Sequence, residues 1–155
     1  MAKDLRAQGD PGSESFHVDR YPFYQLNRLV SRYNVVIETE LRRIKIDIPT
    51  WRVLMILGEQ CPQPIGQVAR LAVINISTMM RIVERMEKAS LIKRALSASD
   101  GRITELTLTA AGRTKLAAAR KITAPIYQRL IGGFSADDFS HLLDLLNRLH
   151  RNLEE

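Results

Sequence analysis

The stretch Asn75-Ile-Ser-Thr-Met-Met-Arg-Ile-Val-Glu-Arg-Met-Glu-Lys-Ala-Ser-Leu-Ile-Lys-Arg-Ala-Leu-Ser-Ala-Ser-Asp-Gly-Arg102 decides the fold. It reads as a capped amphipathic helix that runs directly into a β-hairpin. Met79, Ile82, Val83 and Met86 follow the i, i+3, i+4, i+7 spacing, so they form one apolar stripe that must face a core. At about 100° per residue, Ser77, Arg81, Glu84, Arg85 and Lys88 fall on the far side, with Thr78 at its margin. Asn75 or Ser77 can cap the helix, because either side chain accepts from backbone N–H groups that the first turn leaves unpaired. The helix is expected to end near Leu91. Ile92 to Leu96 and Ile103 to Leu108 are then short strand-like runs around Ser97-Ala-Ser-Asp-Gly-Arg102, where Asp100-Gly101 supplies a residue free to take positive φ. The pair reads as a hairpin, or wing.

Working outward toward the N-terminus, Ile65, Val68, Ala69, Leu71 and Ala72 give a short helix one compact apolar face. A brief link joins it to the helix at Asn75, and two short helices so joined make a helix-turn-helix. Cys61-Pro-Gln-Pro64 before it is read as a turn. Thr50 is the expected N-cap of a core helix from Trp51 to Gln60, with Val53, Leu54, Ile56 and Leu57 too apolar for a surface element. Ile44-Lys-Ile-Asp-Ile-Pro49 breaks a long first helix, Tyr21 to about Arg43, marked by Leu26, Leu29, Val30, Tyr33, Ile37 and Leu41. Residues 1–18 are polar and read as a flexible or loosely draped arm, in which Phe16 and His17 can dock.

Toward the C-terminus, Thr109 caps a long helix that continues to about Ile131, with a bend expected at Pro125. Gly132-Gly133 ends it. Ser135 then caps a last helix with Asp137 and Asp138 near the positive end of its dipole. Phe139, Leu142, Leu146, Leu149 and Leu153 recur along this helix at spacings of three and four, and Leu143 and Leu145 widen the stripe. That is more apolar face than a small winged unit can cover. A second copy of the chain is the economical partner, giving two recognition helices about a two-fold axis, against a monomeric bundle as the alternative. The expected division is an arm (1–18), an N-terminal dimerisation helix (19–48), a winged helix-turn-helix unit (49–109) and C-terminal dimerisation helices (110–155), one domain overall.

A chain of 155 residues that is 45% hydrophobic can bury a real core. No apolar run approaches the roughly 20 residues of a membrane span, and the first residues lack an apolar signal core, so a cytoplasmic protein is expected. Cys61 is the only cysteine, which fits a reducing compartment and a partly buried structural role better than a redox switch. The net charge is +6. Arg81, Arg85, Lys88, Lys93, Arg94 and Arg102 stand against Glu84, Glu87 and Asp100 between residues 75 and 102, so half of the excess lies there. Such a patch attracts polyanions through phosphate contacts and counterion release. Glu84 is expected to pair with Lys88 at i+4.

Reactive groups are scarce. His17, His141 and His150 lie far apart, with no metal-ligand spacing, and Asp137-Asp138 reads as helix-start charge. There is no glycine-rich phosphate loop. An enzyme is not expected, and neither is a cofactor or a metal.

The order of these elements, with Pro49-Thr-Trp-Arg-Val-Leu54, Ser77-Thr78 and Arg81, Asp100-Gly-Arg102 and Leu108-Thr-Ala-Ala-Gly112, resembles the MarR family of winged helix-turn-helix transcriptional regulators over about residues 22–153. The resemblance implies a mainly α fold with a small β-hairpin wing, flanked by dimerisation helices. It puts the Ser77, Thr78 and Arg81 face in the major groove of double-stranded DNA and Arg102 in the flanking minor groove, with Asp100 holding that arginine. The DNA-binding candidates are Asn75, Ser77, Thr78, Arg81, Arg85, Lys88, Arg94, Ser99, Asp100 and Arg102. Two positions depart from the family: Ser90 replaces a glycine, and Ala72-Val73 replaces Leu-Gly. The resemblance further implies a homodimeric repressor released from a pseudo-palindromic operator by a small aromatic or phenolic acid, or its thioester. Tyr24, Arg28, Arg32 and Trp51 are the effector-site candidates, because a carboxylate can pair with an arginine fork while a ring packs on Tyr24 or Trp51. The competing reading is an interaction module whose basic face docks an acidic protein.

Overall fold

The structure is a computed structural model that describes residues 4–154. The first three residues of the expected arm, and Glu155, lie outside the described residues. The rest of the arm has local structure: helix α1 (Arg6–Gly9) is followed by a 3-10 turn (Val18–Arg20). The His17 N–H donates to the Gln8 carbonyl at 2.9 Å, and the Phe16, Tyr21 and Phe23 rings meet edge to face, which folds the segment back on itself.

Helix α2 (Pro22–Arg43) presents Ile37 and Leu41 to the core but leaves Leu29 and Val30 half exposed. Helix α3 (Ile48–Glu59) follows. Its N-cap is Asp47 rather than the expected Thr50: Pro49 fits the first turn, so the helix starts earlier, and the Asp47 carboxylate accepts from the Thr50 N–H at 2.9 Å. Helices α4 (Ile65–Ala72) and α5 (Ile76–Lys88) form the helix-turn-helix, and Asn75 caps α5 by accepting from the Thr78 N–H at 2.8 Å. Of the expected α4 face, Val68, Ala69 and Ala72 are buried, whereas Leu71 points outward.

Strands β2 (Ile92–Leu96) and β3 (Thr104–Leu108) pair antiparallel from Ile92↔Leu108 to Leu96↔Thr104. The Cys61–Pro64 region is not only a turn. Gln63 and Pro64 form a short strand, β1, on the free edge of β3, so the sheet has three strands in the order β1-β3-β2. A proline is tolerated there because β1 is an edge strand. The wing tip also differs from expectation, since Gly101 does not take positive φ. The turn is closed instead by the Ile103 N–H donating to the Asp100 carbonyl (2.9 Å) and the Arg102 N–H donating to the Asp100 carboxylate (3.0 Å).

Positive φ occurs where sequence patterns gave no glycine. Lys45, Val73 and Ser90 have φ of 59°, 56° and 57°. Each ends a helix in the same way: the following N–H reaches back to the carbonyl of Leu41, Ala69 or Met86, closing a left-handed C-terminal cap. The two departures from family glycines, Val73 and Ser90, thus keep the glycine-like conformation with a side chain attached. Helix α5 accordingly stops at Lys88, three residues before Leu91.

Helix α6 (Ala110–Leu130) is capped by Thr109, which accepts from the Gly112 N–H at 2.9 Å, and it runs unbroken through Pro125. Helix α7 (Ala136–Arg151) opens on a reciprocal Ser135–Asp138 capping box. The core gathers the inward faces of α3, α4, α5 and the sheet with Ile37 and Leu41 of α2 and Leu116 and Ala119 of α6. Helix α7 buries no residue. No helix of the described residues is long and apolar enough to cross a membrane.

Candidate nucleic-acid interface and adjoining cleft

The apolar stripe of α5 fixes what its other side can do. Met79, Ile82, Val83 and Met86 are buried, which turns Ser77, Thr78, Arg81, Glu84, Arg85 and Lys88 to the surface. At the start of the helix the Asn75 carboxamide oxygen accepts from both the Thr78 N–H and the Ser77 hydroxyl, each at 2.8 Å. These polar groups sit at the positive end of the helix dipole, where a phosphate is favoured. Arg81 and Lys88 make no side-chain hydrogen bond or ion pair among the described residues. Glu84 does not form the expected pair with Lys88. An exposed pair of this kind is worth only a few tenths of a kcal/mol, too little to hold both chains.

Two further cations of the patch, Arg85 and Arg94, are engaged internally. Arg85 donates to Asp47 at 2.6 Å and to the Thr50 hydroxyl at 3.1 Å, tying the recognition helix to the N-terminus of α3. Partial burial pushes the Asp47 carboxyl up, but hydrogen bonds from Thr50 and the Arg85 guanidinium outweigh it and hold Asp47 below its ordinary range. Arg94 on β2 donates to Glu87 at 2.8 Å, and that bond keeps the Glu87 carboxylate below its usual value.

At the wing tip the Arg102 side chain is 95% exposed. Asp100 holds its backbone N–H and lies 3.9 Å from its Nε. Ser99 contacts the Ser97 hydroxyl at 3.0 Å, and Ser97 in turn donates to Glu105. The ten candidates therefore divide. Thr78, Arg81, Lys88 and Arg102 project freely, Asn75, Ser77, Ser99 and Asp100 shape the ends that carry them, and Arg85 and Arg94 brace the scaffold.

The effector candidates also divide. A cleft of about 820 Å³ lies between α2, α3 and α6, and Trp51 lines it together with Tyr33, Met55, Glu59, Arg120 and Tyr127. Tyr24 and Arg28 lie outside it, on the outer side of α2, with the Arg28 guanidinium 5.5 Å over the Tyr24 ring. Arg32 lines an adjoining hollow of about 350 Å³ that shares Leu29, Tyr33 and Leu130 with the main cleft. The cation inside the cleft is Arg120. Its position was legible as a pattern, since Arg120, Thr123, Ala124 and Tyr127 follow i, i+3, i+4, i+7 on α6. Burial raises the Tyr33 hydroxyl above its ordinary pKa, against a smaller lowering by Arg52. Arg52 itself donates to the Ala72 carbonyl at the end of α4 (3.2 Å). Cys61 is half-buried against the sheet, and its Sγ accepts from the Leu108 N–H at 3.3 Å.

Comparison with known proteins places this geometry. The family model described as MarR family matches residues 46–104, which span α3 to the wing. The HTH-type transcriptional repressor IacR of Pseudomonas putida is 34% identical over 153 residues, covering 99% of this chain and 92% of that protein. Among solved structures, a MarR-family transcriptional regulator from Silicibacter pomeroyi superposes with a TM-score of 0.81 at 25% identity, over 89% of this chain and 93% of that one. The transcriptional repressor CouR, solved bound to a 23-mer DNA duplex, shares the fold with a TM-score of 0.77 at 24% identity, over 86% and 94% of the two chains.

Proposed function

The chain belongs to the MarR family and is a DNA-binding transcriptional repressor, and from that premise we propose that it acts as a homodimer released from its operator by a small aromatic or phenolic acid, or its thioester. The observation that carries the DNA half of this reading is the pairing of an exposed α5 face, on which Thr78, Arg81 and Lys88 are free and Ser77 is held by Asn75, with a fully projecting wing arginine, Arg102. An α-helix fits the major groove and an arginine fork suits the narrow, negative minor groove beside it. Arg85 and Arg94 act as positioning residues, because their guanidinium groups are already spent on Asp47, Thr50 and Glu87.

Support for the dimer is α7, a capped helix of 16 residues with no buried side chain and a row of exposed leucines. Support for the effector is the cleft, mostly apolar, walled by Trp51, Tyr33 and Tyr127 and holding one cation, Arg120, to oppose a carboxylate. Helix α3 is built to transmit its occupancy. Trp51 and Met55 face the cleft, Arg52 grips the end of α4, and Asp47 grips α5, so a shift of α3 moves both halves of the helix-turn-helix. A footprint on the promoter beside the chain's own gene tests the reading. A protected pseudo-palindrome whose protection fades as simple aromatic carboxylates or their thioesters are added is expected. No protected duplex site would defeat the repressor reading, and protection indifferent to every such acid would defeat the effector reading alone.

A further inference from the structure

The helix-turn-helix exposes four large apolar side chains, Leu71, Val73, Ile76 and Met80. Two of them stand one turn apart on α5: Ile76 is 52% exposed and Met80 39%. Spacing of i, i+4 puts them on one ridge, between the buried stripe and the outward face of Ser77 and Arg81. The core contact of α5 is made by the adjoining stripe of Met79, Ile82, Val83 and Met86, which is buried, and the two side chains extend its margin into solvent. They lie in the first half of the helix, where side chains of a recognition helix reach base edges rather than only phosphates.

The floor of the major groove is polar apart from one group, the C5-methyl of thymine. We propose that Ile76 and Met80 form an apolar ridge that reads thymine methyl groups in the major groove, so that each operator half-site carries thymines where the first two turns of α5 dock. The inference rests on the operator reading given above. Charge complementarity selects this occupant: the unpaired cations Arg81 and Lys88 lie on the outward side of the ridge, against the anion Glu84 at i+4 from Met80, and draw a polyanion toward it. The two side chains have different parts. Ile76 is β-branched and stiff at the first helical position, so it tests for one methyl at a fixed place. Met80 is unbranched and adapts its thioether to a neighbouring step.

The test resynthesises the footprinted operator with deoxyuridine for thymine, one position at a time, which removes the methyl and leaves every hydrogen-bonding group. At the positions that α5 reads, wild-type binding weakens about fourfold, the equivalent of one methyl group returned to water. In Met80→Ala and Ile76→Ala the thymine operator is bound more weakly by a similar factor, and uracil at the position each side chain reads brings no further loss. Affinity for non-specific duplex stays at the wild-type value, because neither side chain carries charge, and the thermal midpoint falls only slightly, because about half of each side chain is in solvent. A uracil penalty at no position of the half-site, or one undiminished in both variants, overturns the inference while leaving the operator reading intact. Absence of any operator protected by the wild type overturns both.

Discussion

Gly112 shows how closely α6 is set against the wing. A Cβ built there would overlap the Leu91 carbonyl oxygen, which is backbone and cannot swing aside. The same carbonyl accepts from the Thr109 N–H and hydroxyl, each at 3.1 Å, so the start of α6 is bolted to the junction of α5 and β2. Gly112→Ala is therefore expected to destabilise the fold by about 3 kcal/mol through overpacking, seen as a lower urea midpoint with an unchanged slope. Equal stability would refute the close approach. Val73 predicts the opposite sign. It is β-branched, 86% exposed and held at φ 56°, a conformation that costs an L-residue about 1–2 kcal/mol. Glycine removes that strain and returns part of the gain as unfolded-state entropy, so Val73→Gly should raise stability by about 0.5–1 kcal/mol. A variant no more stable than wild type in chemical unfolding would show that the turn is not strained.

At the scale of elements, the contact between α3 and α5 runs through one carboxylate with two duties. Asp47 caps α3 and receives Arg85 from the recognition helix. Asp47→Ala removes both and is expected to cost about 1–2 kcal/mol, whereas Asp47→Asn keeps a capping oxygen and loses only the charge, costing under about 1 kcal/mol because both partners are more than a third exposed. The pH dependence follows from the sign of the shift. Asp47 is held below its ordinary value of 3.8, so its contribution is complete above that pH and is lost as acid protonates the folded state. Unfolding free energy measured from pH 6 downward should therefore fall less steeply below about pH 4 in Asp47→Asn than in the wild type; parallel curves would remove Asp47 from the acid limb.

Elements of this kind mark how far the sequence could be read. Periodicity located α2, α5 and α7, and the side chains of Asn75, Thr109 and Ser135 marked the starts of α5, α6 and α7, because those signals are local. The cap moved from the expected Thr50 to Asp47 because Pro49 sits in the first turn, and a proline's effect depends on where the helix begins. Strand β1 is two residues long and exists only through its pairing with β3, which no local pattern reports. The left-handed caps at Val73 and Ser90 were hidden because the glycine that signals them is absent. The outward-facing polar side chains of α5 were legible from the helix face. Their division into free and braced cations was not, since Arg85 meets Asp47 across 38 positions of sequence. The cleft was hidden for the same reason: its wall is shared by three helices, and of the four effector candidates only Trp51 lines it.

The whole molecule is decided by what covers α7. Leu142, Leu145, Leu146 and Leu149 are each more than a third exposed along a helix that buries nothing of its own. If a second copy covers them, every DNA contact of one chain occurs twice on a palindromic site. Salt dependence then counts protomers. Each phosphate contact contributes about 0.9 to the slope of log affinity against log salt on B-form DNA. Lys88 is exposed, unpaired and set on the outer face of α5, the position of a phosphate contact. Lys88→Ala should therefore flatten the slope by about 1.8 in a two-fold complex, and by about 0.9 if one chain alone grips the duplex. Leu146→Glu with Leu149→Glu provides the control, because two charges on the stripe should dissociate the dimer at micromolar concentration and bring the slope near half its wild-type value. A change of about 0.9 for Lys88→Ala in a chain that sediments as a dimer would mean that only one recognition helix reaches the groove, and the two-fold clamp would be wrong.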